Sequence, residues 1–349
     1  MTLEITTFDG TGEELSDLIT TAWASVLENK AWFPIWDADF INWCVMDPRV
    51  LDRDLVTVAR KDGKLAGCVV ALPCGLRYRG QELNGSLASF LSISPEIKRP
   101  GFALRLVEAN RQAQLDKGIV LSLGIHDSHE GARAAKFWSG WKKRHPDEFI
   151  RFGEITCWTK AIDGRAIAQG AMTRSEALAA RLGSVLPLGW TGRKGRGALP
   201  DMADLKDHMR IAAQREEAAE ITKIYTEETL AHTIDHPYCI AMKHPTADAL
   251  VSGYMIDWSG RAKTRVGFID FIAGAASPRD MADTLIAVAR EMKARGAAMI
   301  AHMDQGAAPR KAMWRAGFAP VPARIDYYSW VKHPDVILEG DIRAAVPFT

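Results

Sequence analysis

One run of elements occurs twice along this chain, and any fold must accommodate both copies. Leu87–Ile93 reads as an apolar strand, Ser94-Pro95 turns out of it, and a helix continues to Asp116. Lys117-Gly118 breaks that helix, Ile119–Ile125 is a second apolar strand, and Asp127 lies just beyond it. Further on, Arg265–Ile272, Ser277-Pro278, a helix to Arg295-Gly296, the strand Ala298–Met303 and Asp304 repeat the order. Similarity at this level, without residue identity, predicts two copies of one α/β unit in tandem.

The flanking segments fill out each copy. Glu13–Glu28 and Asp37–Met46 have helical apolar spacing. Leu55–Arg60 and Leu65–Leu72 read as strands joined at Asp62-Gly63, a pair favoured in tight hairpin turns. Gly131–Trp141 reads as helix and Ile155–Thr159 as strand. In the second copy Met209–Thr229 reads as helix, Tyr238–Met242 and Ala249–Trp258 as a hairpin, Pro309–Ala316 as helix and Tyr327–Val331 as strand. Between the copies, Ala161–Leu182 is helix-prone, and Gly189–Gly197 is rich in glycine and basic residues, the composition of a linker. The expected division is residues 1–160, a linker at 161–204, and 205–349.

Composition narrows the partners. A net charge of +1 over 349 residues supplies no global field for nucleic acid or a membrane surface. The first residues lack the basic and apolar regions of a signal peptide, and no apolar run approaches the ~18 residues of a membrane span. Five scattered cysteines without a CxxC pair suit a reduced, cytoplasmic protein. His232, His236 and His244 have helical metal-ligand spacing, but His236-Pro237 reads as a helix end, and no metal site is expected.

The turn after the first repeated strand carries the sharpest chemical signal. Small residues at a strand-to-helix turn let backbone N–H groups converge, and the helix N-terminus adds partial positive charge; the usual guest is a phosphate. Here the turn is Lys98-Arg99-Pro100-Gly101-Phe102-Ala103, preceded by Pro95-Glu96. It resembles the signature of the GNAT superfamily of acyl-CoA-dependent N-acyltransferases: Arg or Gln, two residues, Gly, one residue, then Gly or Ala. The resemblance covers roughly residues 50–160 with the signature. It covers 205–332 by element order and by Trp314-Arg315-Ala316-Gly317-Phe318, which looks like the family's Tyr-x-x-Gly-Phe ending. It implies an α/β fold of two tandem GNAT-like domains, each a mixed, mostly antiparallel sheet flanked by helices, in the arrangement of N-myristoyltransferase-like or mycothiol-synthase-like proteins.

The resemblance also implies roles. Lys98, Arg99, Gly101, Phe102, Ala103 and Leu104 would hold the pyrophosphate of acetyl-CoA or another acyl-CoA. Backbone amides of Phe90, Leu91 and Ile93 would face the pantetheine arm and the thioester carbonyl. Two departures stand out. Family members often carry an Asn, and seven residues later a Tyr that protonates the leaving thiolate; here Gly131 and Trp138 hold those positions, and an indole N–H is no acid near neutral pH. The second copy has Trp314 at its Tyr position and no basic-x-x-Gly-x-Gly turn. The first copy is therefore expected to be the cofactor half, with Trp138 at its edge.

Candidate chemical groups follow. His126 and Asp127, with Ser128 and His129, close the second repeated strand and offer a base for the amine proton, or alternatively helix caps. Ser89 and Ser92 lie on the strand beside the expected thioester. Asp257 and Asp270 lie on second-copy strands, and Asp270, a charge within an apolar run, is expected to bind a substrate ammonium or to form a buried ion pair. Tyr327-Tyr328 offers a phenol near the pocket. The expected activity is direct transfer of an acyl group, most simply acetyl, to the amine of a small molecule or peptide. The alternatives are a CoA-binding protein without turnover and a Fem-type aminoacyltransferase.

Overall fold

The structure, a computed structural model, describes residues 3–28, 30–127, 133–185, 200–215, 219–338 and 342–346. The first part contains β1 (Leu3–Thr7), α1 (Gly12–Leu27), β2 (Phe33–Pro34), α2 (Ala38–Cys44), β3 (Val56–Lys61), β4 (Lys64–Tyr78), β5 (Gln81–Ile93) and α3 (Phe102–Asp116). Next come β6 (Leu121–Asp127), α4 (Arg133–Arg144), β7 (Ile150–Ala161), α5 (Gly164–Gly170), α6 (Arg174–Val185), β8 (Asp201–Met202), α7 (Leu205–Arg215) and β9 (Ile221–Lys223). The remainder is α8 (Glu227–Ile234), β10 (Cys239–Lys243), β11 (Leu250–Ser259), β12 (Thr264–Ala273), α9 (Pro278–Ala294), β13 (Met299–Asp304), α10 (Arg310–Arg315), β14 (Ala319–Lys332) and β15 (Ala344–Ala345). Among the described residues no helix is long and apolar enough to cross a membrane.

Local chemistry accounts for many boundaries. Asp62 and Gly63 take φ of 50° and 83° and close the β3/β4 hairpin. Asp37 caps α2 by accepting from the Phe40 N–H at 2.9 Å. Leu15, Leu18, Ile19 and Ala22 bury one stripe of α1 at helical spacing. The segment Met209–Thr229 departs from its helical reading: it is α7, then β9, then α8. Ile221–Lys223 pairs with Tyr78–Leu76 at the far end of β4, so an edge contact overrides the local periodicity. The helix-prone stretch Ala161–Leu182 holds α5 and most of α6. Gly189–Gly197 lies outside the described residues.

One sheet runs through the molecule in the order β1-β3-β4-β5-β6-β14-β7-β13-β12-β11-β10-β8. Along that path β5/β6 and β12/β13 are the parallel pairs, one in each half. The two halves are stitched together by an exchange of strands. β7 follows the first copy in sequence but pairs with β13 of the second. β14, from the second copy, inserts between β6 and β7. Tyr327, Tyr328, Trp330 and Val331 of β14 are consequently buried in cores built largely by first-half residues.

Strand alternation divides these cores between the sheet's faces. Val58, Cys68, Val70 and Phe90 pack with α1 and α2. Ala59, Val69, Leu91 and Ile93 pack with Phe102, Leu106 and Val107 of α3 and with Trp138 and Trp141 of α4. A buried polar ladder sets the position of α3. Asn110 Nδ2 donates to Leu55 O (2.9 Å) and Thr57 Oγ1 (3.0 Å), Gln114 Nε2 donates to Asn110 Oδ1 (2.8 Å), and Ser86 Oγ donates to Gln114 Oε1 (2.6 Å). Each group is satisfied by the next, so the ladder costs little to bury while fixing the helix against β3 and β5.

Candidate active site

The parallel pairing of β5 with β6 is short, running from Gly85/Leu121 to Ala88/Gly124. Beyond Ala88 the edge of β5 facing β6 has no strand partner among the described residues, and a notch opens. At this point β5 carries a bulge. Ser89 pairs with Val70 and Ser92 with Cys68, so Phe90 and Leu91 together oppose Val69. Phe90 has φ of +58°, left-handed backbone that an aromatic residue rarely adopts. Two contacts hold it there: Cys68 Sγ donates to Phe90 O at 3.2 Å, and the Phe90 ring meets Trp36 edge-on at 5.0 Å. A bulge takes an N–H off the ladder, and here it does so at the notch.

The turn follows directly. Gly101 adopts φ 74°, ψ 2° as the N-cap of α3, and no side chain caps that end. Phe102 N–H reaches Arg99 O at 3.3 Å, and Arg105 N–H to Gly101 O is the first helical bond. The Ala103 and Leu104 N–H groups thus face outward from the helix end. Lys98, Arg99 and Arg105 are exposed around it, and Phe102 is buried beneath. Leu91, Ile93, Phe102 and Leu104 share the face of Trp138, so the structure brings together most of the residues singled out in this turn and strand. Phe90 presents its ring to the opposite face.

On the α3/α4 face the notch is walled by rings. Trp138, 7% exposed, packs against Phe137, Trp141, Phe149, Tyr328 and Trp330 at centroid separations of 4.8–6.3 Å. His126 is half-buried within the same cluster, 4.9 Å from the Tyr328 ring and 6.1 Å from Trp138. The side chain of Asp127, and Ser128, His129 and Gly131, lie outside the described residues. Ser92 is buried and accepts from Trp23 Nε1 at 3.0 Å; Ser89 is half-buried at the mouth of the bulge. Of the Tyr327-Tyr328 pair, Tyr328 is the phenol at the notch. A Cβ at Gly124 would lie 3.2 Å from Tyr328 Oη and 3.6 Å from Ala88 O, so the phenol occupies the base of the notch. Gly124, a glycine inside an otherwise apolar strand, leaves the room that the phenol takes. Burial pushes the Tyr328 phenol well above its ordinary pKa, so it keeps its proton.

The second half repeats the backbone device without the anion site. Parallel pairing of β12 with β13 ends at Ile269/His302. Asp270 is then the extra residue of a bulge, since Ile269 pairs with Gly253 and Phe271 with Ser252. The following helix is closed: Ser277 Oγ accepts from the Asp280 N–H at 3.3 Å, Pro278 occupies the first turn, and Asp280 adds negative charge. His302 Nδ1 lies 2.9 Å from Ile269 O, filling the notch from within. Asp304 accepts from Trp158 Nε1 and from the Gly306 and Ala308 N–H groups, which ties a loop together. Trp314, at the family's Tyr position, is 49% exposed.

Other singled-out residues have local partners. Asp257 is held by Arg265 (2.5 Å) and Lys263 (2.7 Å) at the surface end of β11, away from the cavity that Asp270 lines. His232 Nε2 meets Trp43 O at 2.7 Å, and His236 and His244 accept from nearby backbone N–H groups. Among the described residues no group of metal-ligating side chains is assembled. Burial pushes the thiols of Cys68 and Cys157 up to about 12, far from a reactive thiolate.

A strand that splays from its parallel neighbour at a bulge, then turns through glycine into a helix, defines the GNAT fold. Here the splayed strand, the bulge and the following helix occur in both halves of one sheet, the glycine entry to the helix in the first alone. No protein-family model matches the sequence, and no curated protein matches it. Among solved structures it is similar to Saccharomyces cerevisiae N-myristoyltransferase with bound myristoyl-CoA, at TM-score 0.73 and 12% identity over 99% of this chain and 84% of that one. A second structure of that enzyme gives TM-score 0.73 at 13% identity, covering 99% and 88%. A GCN5-related N-acetyltransferase from Kribbella flavida gives TM-score 0.52 at 12% identity, covering 94% and 71%. The particular arrangement is N-myristoyltransferase-like. At these identities the likeness is one of fold.

Proposed function

We propose that this protein is an acyl-CoA-dependent N-acyltransferase that moves a short acyl group, acetyl above all, to an amine by direct transfer. The observation that carries the reading is the bulge at Phe90–Leu91 placed one turn before an uncapped, basic helix N-terminus. The residues fit the cofactor. Ala103 and Leu104 N–H groups, with Lys98 and Arg99, would hold the pyrophosphate, and the open β5 edge at Phe90–Ile93 would take the amide groups of the pantetheine arm. Bound acyl-CoA supplies a thioester carbonyl open to attack by an amine.

The chain's own groups supply the rest. A backbone N–H off the ladder at the bulge is aimed where negative charge develops on that carbonyl oxygen; one such donor contributes a few kcal/mol, roughly 3. His126 would take the amine proton, with Asp127 and Ser89 orienting it or a water. The Tyr328 phenol stands in for the missing acid at position 138. Trp138 and its neighbouring rings pack beside Leu91 and Ile93, which would disfavour a long acyl chain on that side of the notch. Asp270 would contact the acceptor, a small-molecule or peptide amine; Asp257 is less suited, being held by two cations. The two GNAT-like units, 1–160 and 205–349, would divide the labour between cofactor and acceptor, in the cytoplasm.

A second reading keeps the cofactor and drops the turnover: Trp138, an indole buried in the core at the acid position, favours a CoA-binding protein. Calorimetry with acetyl-CoA and thiol release across an amine panel separate the two. Binding lost in Gly101→Glu, with thiol released in the natural chain, supports transfer. Binding without release under any amine supports the second reading, and no binding refutes both.

A further inference from the structure

A groove of about 380 Å³ opens between α2 and the end of α8, and none of the notch residues lines it. Its size is that of a small-ligand cleft. Two crossed hydrogen bonds fix its shape: Trp43 Nε1 donates to His232 O at 3.1 Å, and His232 Nε2 donates to Trp43 O at 2.7 Å. The His236 ring stacks on Trp43 at 4.3 Å, which gives the groove a flat aromatic wall. Three carboxylates, Asp39, Asp47 and Asp235, share the lining with one guanidinium, Arg49. Asp47 is engaged: Arg49 donates to its two oxygens at 2.9 and 2.8 Å and pulls its pKa down to about 2. The Asp235 side chain is 68% exposed and has Arg49 only at 3.7 Å. Asp39 has no hydrogen bond or ion pair among the described residues. His232 also lines the groove and is 5% exposed. A carbonyl only accepts, so His232 Nε2 carries the hydrogen and Nδ1 is left with a lone pair. No group among the described residues donates to that Nδ1.

We propose that this groove binds a guanidinium group, carried by a small molecule or by an arginine side chain. The acceptors left open are Asp39, Asp235 and the His232 lone pair, and they call for a cation with several N–H donors. Guanidinium is planar, spreads its donors in a fork and stacks on aromatic faces, which matches the Trp43–His236 wall. A compact ammonium would meet the carboxylates but leave the flat wall unused. An anion would face two carboxylates that no close cation offsets. Burial lowers the pKa of His232 and of His236, so both rings stay neutral and add no competing charge. The crossed bonds between Trp43 and His232 hold wall and floor in place before a ligand arrives, so little ordering is needed on binding. The groove stands whether or not the chain transfers acyl groups.

The test uses the full chain without acyl-CoA. The imidazole nitrogens are ¹⁵N-labelled, the His232 signal is assigned by its absence in His232→Gln, and methylguanidinium is titrated well below denaturing concentrations. The expected result is a saturable shift of His232 Nδ1, with affinity weakened at least about fivefold in Asp39→Asn and further when Asp235→Asn is added. Methylurea, of the same shape but neutral, should leave the signal unmoved, and methylammonium should bind at least about fivefold more weakly. Free arginine and an arginine peptide with blocked ends are then compared to identify the source of the guanidinium. A response that never saturates, equal binding by the double variant, or an equal response to methylurea or methylammonium overturns the proposal. Both aspartates are exposed; should the double variant nonetheless fail to fold, the neutral and ammonium probes on the natural chain decide it. Acetyl-CoA calorimetry on the same sample separates failure of this groove from failure of the transfer reading.

Discussion

Lys160 offers a quantitative check on how the two halves are joined. It lies on β7, the strand handed to the second half, and is 1% exposed. Its Nζ donates to Ala316 O at 2.7 Å, where α10 ends, and lies 5.9 Å from the Phe318 ring. Burial pulls its pKa down from 10.5 to about 8. At pH 7 the amine is charged in both folded and unfolded chains, and folding bears the full cost of burying it, about 3 kcal/mol. Between pH 8 and 10.5 the folded protein loses the proton while the unfolded chain keeps it. The unfolded state then binds more protons, so stability rises with pH across that window. Lys160→Met removes the charge and keeps most of the volume, but forfeits a hydrogen bond worth roughly 1.5–3 kcal/mol. The variant should therefore be as stable as the natural protein at pH 7, or more stable by up to about 2 kcal/mol. By pH 10 that difference should have fallen by about 2 kcal/mol, to the variant's disadvantage. Urea unfolding of both chains at pH 7, 8, 9 and 10 measures it, and taking the difference cancels the tyrosines and cysteines that titrate in the same range. A difference that stays constant with pH would refute the argument, because it would mean that Lys160 keeps its charge at no cost.

Two further outcomes bear on the notch. Tyr328→Phe should lower kcat by roughly 10–100-fold while leaving acetyl-CoA affinity within about twofold, as expected of a proton donor rather than a binding group; steady-state kinetics and calorimetry read the split. Trp138→Ala should cost about 3–5 kcal/mol of stability in a melt, and should raise the affinity for octanoyl-CoA relative to acetyl-CoA by roughly tenfold, because it empties the ring cluster beside Leu91 and Ile93. An unchanged ratio would show that the rings do not limit chain length.

The order of elements was legible in the sequence because each rests on local chemistry. Helical spacing marks α1 and α3, Asp62-Gly63 marks a hairpin, and Ser277-Pro278 marks a helix start. The turn at Lys98–Ala103 was legible for the same reason. Pairing was not. Nothing local to Ile150–Ala161 or Ala319–Lys332 says that these strands change places, since periodicity reports a strand's buried face and not its neighbour. β9 was missed because three residues added to a sheet edge leave no periodic trace. The left-handed backbone of Phe90 is imposed by Cys68 and Trp36, which tertiary packing brings to it. Which phenol of Tyr327-Tyr328 meets the notch was settled only once β14 was placed beside β6.

The two halves also show what the fold alone leaves undetermined. Each ends its parallel pairing at a bulge, and each then turns into a long helix. The first turn passes through Gly101 at positive φ and leaves the helix N-terminus open beside Lys98, Arg99 and Arg105. The second uses a serine cap, a proline and Asp280, which satisfy that end and repel an anion. At the bulge itself, the first half presents backbone beside apolar Leu91 and Ile93, while the second presents the carboxylate of Asp270 to a cavity shared with His208. One half therefore leaves its helix N-terminus open beside cations, and the other closes it with a serine cap and an acidic first turn. The same scaffold is present twice, and a few residues at equivalent positions decide which copy keeps an open helix end. Exchange of β7 and β14 sets both bulges within a single sheet. Under the proposed transfer, the asymmetry of the two helix ends would put the cofactor's pyrophosphate at the first half alone.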